Sequence, residues 1–377
     1  MEHQVGHPDS GHMSYIPVDV RPHRSIRVAV VGIGWMGRFH ATTVAEKVPG
    51  LVLEAIADPD RAAADALARR LGVTKVTADA ATVFADPDVD AVIVASPPRF
   101  HPIQMSHASA AGKAVFCEKP AAVNLPDLDA ALAAVARAGT PLQIGFNRRY
   151  SAAFSRAYQL VCGSAVGTPQ LLRSLTRDPA PLEPETIKRN AIFVETLIHD
   201  FDILNWFNRG AVALDVRAVA DALIRPDYAD AGFLDTALVT IRYDNGALAT
   251  AEASLQTSYG YDVRLEVFGP NGMVTAGGAP PADTRRYSAD GATVGTAQRN
   301  LELFHDAYVA ELTDFRDLVR AWRAGVDLAE FAEGRPEMAG GMQVRQAFAV
   351  AQAAIDSCAS GTAIAVEHTA TEEASPR

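Results

Sequence analysis

In the run Ile192-Phe-Val-Glu195-Thr-Leu-Ile-His199-Asp-Phe-Asp202, a period of 3.6 residues puts Glu195, His199 and Asp202 on one stripe of an otherwise apolar helix. An imidazole flanked by two carboxylates is suited to proton transfer, because histidine titrates near neutral pH without adjustment. The same three side chains would hold a divalent ion. No second histidine or cysteine lies at ligand spacing nearby, so proton transfer is the expectation and no metal is expected.

A second chemical signal lies upstream. Gly32-Ile33-Gly34-Trp35-Met36-Gly37 follows the β-branched run Ile26–Val31 and opens a helix, so the backbone can approach a pyrophosphate and point helix N–H groups at it. Asp58 ends the next expected strand, 21 residues after Gly37, where a carboxylate accepts hydrogen bonds from both ribose hydroxyls of NAD. That carboxylate would repel a 2′-phosphate, and Pro59 follows it, so NAD is expected over NADP. Arg61 reads as a solvated helix start. Ser96-Pro97-Pro98, after a later strand, would line the nicotinamide side of the cleft, or form a plain proline turn; His101, just beyond, is counted with them. Taken with a base on a helix, the dinucleotide signature points to hydride transfer from a hydroxyl carbon.

These side chains must be positioned by two kinds of architecture. From residue 25 to 146, strands at Ile26–Val31, Leu51–Ala57, Ala91–Ala95, Ala114–Cys117 and Leu142–Phe146 alternate with helices at Arg38–Val48, Arg61–Leu71, Pro102–Ala111 and Leu125–Ala138. Such alternation predicts an α/β Rossmann domain, a doubly wound parallel sheet with right-handed crossovers. From 147 to 368 the pattern predicts an α+β domain. Its strands are Leu171–Thr176, Val216–Ala222, Thr236–Arg242, Ala247–Leu255, Tyr261–Phe268 and Gly272–Thr275, with an Asn245-Gly246 hairpin turn. An open, mainly antiparallel sheet is expected there, backed by the Glu195 helix and by helices at Ala307–Ala324 and Met342–Ser360. Pro179, Pro181 and Pro184 make the stretch before the Glu195 helix a loop. Residues 1–24 and 369–377 read as disordered tails, and His3, His7, His12 and His23 as parts of a solvated one.

Composition excludes several function classes. With 34 basic and 45 acidic residues the net charge is -11, which attracts neither nucleic acid nor an anionic membrane surface. No apolar run approaches the roughly 20 residues that span a bilayer. Cys117, Cys162 and Cys358 show no CxxC spacing, so neither a disulfide framework nor a cysteine zinc site is indicated, and a cytoplasmic location is the default.

With Glu118-Lys119-Pro120 after a strand, the chain resembles the glucose-fructose oxidoreductase, inositol dehydrogenase and rhizopine-catabolism (Gfo/Idh/MocA) family. The resemblance runs on through Gly145-Phe-Asn147-Arg148-Arg149-Tyr150, the Thr196 to Asp202 segment, Tyr259-Gly-Tyr261-Asp262 and Glu266-Val-Phe-Gly269, and is strongest to inositol 2-dehydrogenases. It implies that Lys119 contacts the substrate hydroxyl and the nicotinamide ribose beside a proline that is often cis, and that Glu118 buttresses it. It implies that His199 takes the hydroxyl proton, that Asp202 lines or orients the same site, and that Arg148 lies near the substrate. It also implies a dimer or tetramer, for which the exposed face of an antiparallel sheet is suited. Where inositol dehydrogenases usually carry aspartate four residues before the histidine, this chain has Glu195, one methylene longer, which puts substrate identity in question. The loop from Arg177 through Lys188 also differs, and it supplies substrate contacts in such enzymes.

The expected function is therefore NAD-dependent oxidation of a secondary hydroxyl of an inositol-like cyclitol or a sugar. An aminocyclitol or amino-sugar dehydrogenase is the near alternative, and a non-catalytic NAD-binding sensor the alternative of another class. Tyr259, Tyr261 and Asp262 serve equally as strand packing or substrate contacts, His305 and Tyr308 as helix-end packing or cleft residues, and Arg148-Arg149 as salt-bridge partners or ligands.

Overall fold

The computed structural model describes residues 25–179, 189–278, 281–288 and 291–368. The expected tails with His3, His7, His12 and His23, and Pro181, Pro184 and Lys188 of the proline-containing loop, lie outside those residues.

Apolar β-branched runs with both faces buried build the centre of the first sheet, as parallel strands covered by helices require. In chain order the elements are β1 (Ile26–Val31), α1 (Trp35–Glu46), β2 (Leu51–Ala57), α2 (Arg61–Leu71), β3 (Lys75–Thr77), α3 (Ala80–Ala85), β4 (Ala91–Val94), α4 (His101–Ala110), β5 (Ala114–Cys117), α5 (Leu125–Ala138) and β6 (Leu142–Ile144). All six strands are parallel, in the order β3-β2-β1-β4-β5-β6. The strand order reverses between β1 and β4, and a crevice opens there at the carboxyl ends, where ligands bind in such sheets. β3 and α3 were not expected; at three and six residues they are too short to show a period.

After α6 (Ala152–Cys162) come β7 (Leu171–Arg177), α7 (Leu197–Phe207), β8 (Ala213–Asp221), β9 (Thr236–Tyr243), β10 (Leu248–Ser254), β11 (Asp262–Gly269) and β12 (Gly272–Gly278). A hairpin, β13 (Pro281–Ser288) and β14 (Gly291–Thr296), then precedes α8 (Asn300–Leu303), α9 (His305–Arg323), α10 (Leu328–Glu333), α11 (Gly341–Ser360) and β15 (Ile364–Ala365). The second sheet runs β12-β11-β7-β10-β9-β8-β15 and is antiparallel except where β7 meets β10. Strict alternation of buried and exposed residues, as in β9, gives it one covered face and one open one. α7 and α11 pack on the covered face.

One helix goes elsewhere than expected. α9, anticipated behind the second sheet, buries Leu312, Phe315, Leu318 and Val319 in the core of the first, with Ile26, Val28 and Phe116. Its apolar stripe has no way of naming its partner in the sequence; the connection through β13 and β14 carries it back.

Candidate functional site

The glycine-rich turn owes its shape to two close approaches. Gly32 has φ +86°, and a Cβ there would fall 2.5 Å from the Ser96 backbone; one on Gly37 would fall 1.8 Å from the Gly32 carbonyl oxygen. Gly34 differs, since a Cβ there would meet nothing within 4 Å: it faces an open cleft of about 800 Å³. No side chain caps α1, whose first turn also carries no acidic residue, so its leading N–H groups remain available to an anion. Asp58 lines the same cleft. Its Oδ2 accepts from the Ile33 amide and its Oδ1 from the Asp60 amide, each at 2.8 Å, and each oxygen keeps a lone-pair direction for a ribose hydroxyl. An open glycine cradle, an uncapped helix start and a carboxylate at the second strand fit NAD.

Ile33, Trp35, Met36, Ser96, Pro97, Pro98, His101, Glu118 and Lys119 also line this cleft, together with Glu195 from the second half of the chain. Gly37 does not; it lies behind the turn. His101 lines the cleft at 1 % exposure with both ring nitrogens turned to carbonyls, Nδ1 2.9 Å from Pro120 O and Nε2 2.6 Å from Ser96 O. It braces the wall rather than reaching for a ligand. Arg61 pairs with Asp65 on α2.

Glu118, at the end of β5, is almost fully buried. Its Oε1 lies 2.6 Å from His40 Nε2, and its Oε2 accepts from the Lys119 amide at 3.2 Å. The Lys119–Pro120 bond is cis. From this loop Lys119 extends to the start of the catalytic-candidate helix, where its Nζ donates to the main-chain carbonyl of Glu195 at 2.9 Å. Burial lowers the Lys119 pKa, opposed by Glu118, Glu195 and Asp178 and assisted by Arg148.

The stripe on that helix is only partly what its spacing suggested. Ile192–Thr196 form a π turn, with the Leu197 amide bonded to Ile192 O, before α7 proper begins. In an α-helix the Glu195 carbonyl would accept from residue 199; π turns break that register and recur at functional sites. Here it is the carbonyl of Glu195 that Lys119 engages.

His199 is 7 % exposed, and its Nδ1 has no hydrogen-bond partner among the described residues; the ring of Phe146 stands edge-on to it at 6.1 Å. Burial first, then the charges of Lys119 and Arg148, push its pKa well below the usual histidine value, so the imidazole is neutral and able to accept a proton. Asp202, expected beside it, is turned away: Arg149 grips both its oxygens, Nε at 2.8 Å and Nη2 at 2.6 Å. Asp200, between the two and off the stripe, accepts from Ser174 at 2.5 Å and Thr176 at 2.7 Å and lies 3.2 Å from Arg148 Nη1. Arg148, expected at the substrate, is buried and donates Nη2 to Thr176 Oγ1 at 2.8 Å. Its charge acts on both Lys119 and His199. Among the described residues no three His, Cys, Asp or Glu side chains are gathered to hold a metal ion.

Two further groups, Asp178 and Tyr261, lie near Arg148. Asp178, leaving β7, is held near Lys119 and Arg148; burial pushes its carboxyl pKa up while the Tyr261 hydroxyl hydrogen-bonds to it. The Tyr261 hydroxyl also accepts from Asn300 Nδ2 at 3.4 Å, and Asn300 Oδ1 accepts from the Tyr308 hydroxyl at 2.8 Å. Tyr259 pairs instead with Asp262 at 2.9 Å, on the strand side. His305 is bonded to the neighbouring Asp306. Sequence reasoning singled out neither His40 nor Asp200. Their only signal is a polar residue inside an apolar helical stretch, and its partner lies far away in the chain.

Comparison with known proteins bears on this geometry. Residues 26–146 match the GFO_IDH_MocA oxidoreductase family, NAD-binding Rossmann fold, and residues 154–275 match the GFO/IDH/MocA C-terminal domain. The scyllo-inositol 2-dehydrogenase (NAD(+)) of Bacillus subtilis is 34 % identical over 296 residues, covering 78 % of this chain and 86 % of its own. A myo-inositol 2-dehydrogenase of Thermotoga maritima is 34 % identical over 298 residues, 77 % of this chain and 87 % of its own. The crystal structure of scyllo-inositol dehydrogenase from Lactobacillus casei, with bound NAD(H) and scyllo-inositol, superposes with a TM-score of 0.83 at 26 % identity, covering 91 % of this chain and 99 % of that one.

Proposed function

Because the chain belongs to the GFO/IDH/MocA family of NAD-binding oxidoreductases, we propose that it oxidises a secondary hydroxyl of an inositol-like cyclitol or a sugar to a ketone, reversibly. The observation that supports this reading is that Lys119 lines the cleft of the glycine-rich turn while its charge acts on the buried imidazole of His199. NAD, bound along the glycine-rich turn, supplies the hydride acceptor. Lys119 polarises the hydroxyl, and its burial-lowered pKa makes proton exchange easier. His199 accepts the hydroxyl proton as the C–H bond breaks, which requires it to be neutral beforehand. Glu195 orients the lysine through its carbonyl. Tyr261 and Asp178 contact hydroxyls of the substrate further from the cofactor.

The test follows NADH absorbance with NAD and myo-inositol, scyllo-inositol, aminocyclitols and common aldoses, repeated with NADP. Reduction of NAD with one cyclitol or sugar supports the proposal, and silence across the panel in both directions, with NAD still bound, favours a non-catalytic sensor. An amino-bearing substrate is the second reading. It is favoured by Asp178 and Glu195, two carboxyl groups at one site where an ammonium group would be welcome, and preference for an aminocyclitol in the panel would select it.

We further propose a division into a cofactor domain over 25–146 and a substrate and oligomerisation domain over 147–368, a homo-oligomer formed through the open face of the second sheet, and a cytoplasmic location. Leu171, Val219, Leu238, Leu248 and Phe268 are all exposed on that face, and exposed apolar groups gathered on one face suit association. No described helix is long and apolar enough to cross a membrane.

A further inference from the structure

His40 has no part in the chemistry above, yet its placement is tightly specified. It sits on α1, six residues past the open glycine of the cofactor cradle, at 0 % exposure. Aromatic rings wall it in: Phe116 at 5.4 Å, Phe39 at 5.9 Å and Tyr308 at 6.0 Å between centroids. Within that apolar wall its Nε2 meets Glu118 Oε1 at 2.6 Å, while Nδ1 has no partner among the described residues. The other Glu118 oxygen receives the Lys119 amide. The carboxylate also fills the space that a side chain at Gly145 would need, since a Cβ there would lie 3.2 Å from it.

The surroundings of Glu118 make that one hydrogen bond consequential. From α9 it is faced by Glu311, itself buried with neither carboxyl oxygen hydrogen-bonded among the described residues, and by Tyr308; from the loops it is faced by Lys119 and His101. A nearly dry carboxylate needs its donors. With His40 removed, Oε1 loses its hydrogen-bond partner, and the cation already under the influence of Glu118 is the ammonium of Lys119, which the carboxylate would draw from the Glu195 carbonyl.

We propose that His40 is a positioning residue for Lys119, acting through Glu118, so that the helix whose N-terminus receives the cofactor pyrophosphate also sets the lysine at its nicotinamide end. The inference rests on the reading of Lys119 as the group that polarises the hydroxyl. His40→Gln keeps an N–H donor at nearly the reach of Nε2; His40→Met matches its bulk without a donor; His40→Asn carries a donor too short to reach Glu118. Steady-state kinetics with the substrate found in the panel should show kcat falling about 10- to 100-fold in the Met and Asn variants, as for a misplaced catalytic group. KM for NAD should stay within about threefold in both, and the Gln variant should keep kcat within about threefold of the parent.

A reading that needs no turnover is the proton NMR spectrum of the cofactor-free protein. A far-downfield imidazole proton, present in the parent and lost in both His40→Met and Glu118→Gln, is expected from a short histidine–carboxylate bond. Parent-like kcat in His40→Met or His40→Asn, equal losses in the Gln and Asn variants, or no such proton in the parent overturns the proposal. If His40→Met does not fold, the Gln and Asn pair decides alone. Lys119→Met, assayed alongside, separates the two ideas: full turnover there sinks the role of the lysine itself, whereas loss there with parent-like His40 variants sinks only His40.

Discussion

At the scale of single residues, the proposed proton transfer depends on a neutral His199. Its pKa is lowered first by burial and then by Lys119 and Arg148, which favours the neutral imidazole. An NMR titration of the His199 ring in the cofactor-free protein should therefore show its midpoint below the ordinary value of about 6.5. Lys119→Met removes one of the two cations and should move the midpoint up, toward that value; an unchanged midpoint would mean that the lysine field does not reach the imidazole. The stripe of Glu195, His199 and Asp202 was legible because helical periodicity is local. That Glu195 would offer its carbonyl, and that Asp202 would be taken by Arg149, were not, because a π turn and a partner 53 positions away leave no trace in spacing.

At the scale of elements, α7 is fixed against rotation by two buried carboxylates on either side of the histidine. Asp200 ties it to β7 through Ser174 and Thr176, and Asp202 ties it to the segment before α6 through Arg149. Burial pushes the Asp202 carboxyl pKa up in spite of the guanidinium, so the pair is held by geometry against a desolvation cost. Asp202→Ala leaves the buried Arg149 charged and without its carboxylate, and urea unfolding should show a loss of about 3–5 kcal/mol. Asp202→Leu with Arg149→Met should recover much of it. A loss under about 1 kcal/mol in the single variant would mean that the pair is not an anchor. The strands and helices around the cleft were readable from periodicity and glycine placement, and the hairpin of β13 and β14 was not, since its sequence shows no clean alternation of apolar and polar residues.

At the scale of the whole molecule, the open face of the second sheet has no covering layer among the described residues. Val219 and Leu238 are register partners on β8 and β9, and both point outward; Leu171 and Phe268 are paired in the same way on β7 and β11. Replacing Val219 and Leu238 with glutamate should halve or quarter the mass seen by light scattering while leaving NAD binding intact. The same mass before and after would remove this face from assembly.

By itself the sequence determined the parallel sheet with its glycine-rich turn, the aspartate after its second strand, the mainly antiparallel second sheet and the helix that carries the histidine, because each is written in short-range spacing: a period of two, a period of 3.6, or a glycine where no side chain fits. Only the tertiary structure decided that α9 crosses back to the first core, that carbonyls take both His101 ring nitrogens, that Arg148 lies against Asp200 and Thr176, and that His40 meets Glu118. Each of these is a choice of partner among buried polar and apolar groups, made by which surfaces the folded chain brings together, and two residues 78 apart in sequence carry no local mark that they will meet.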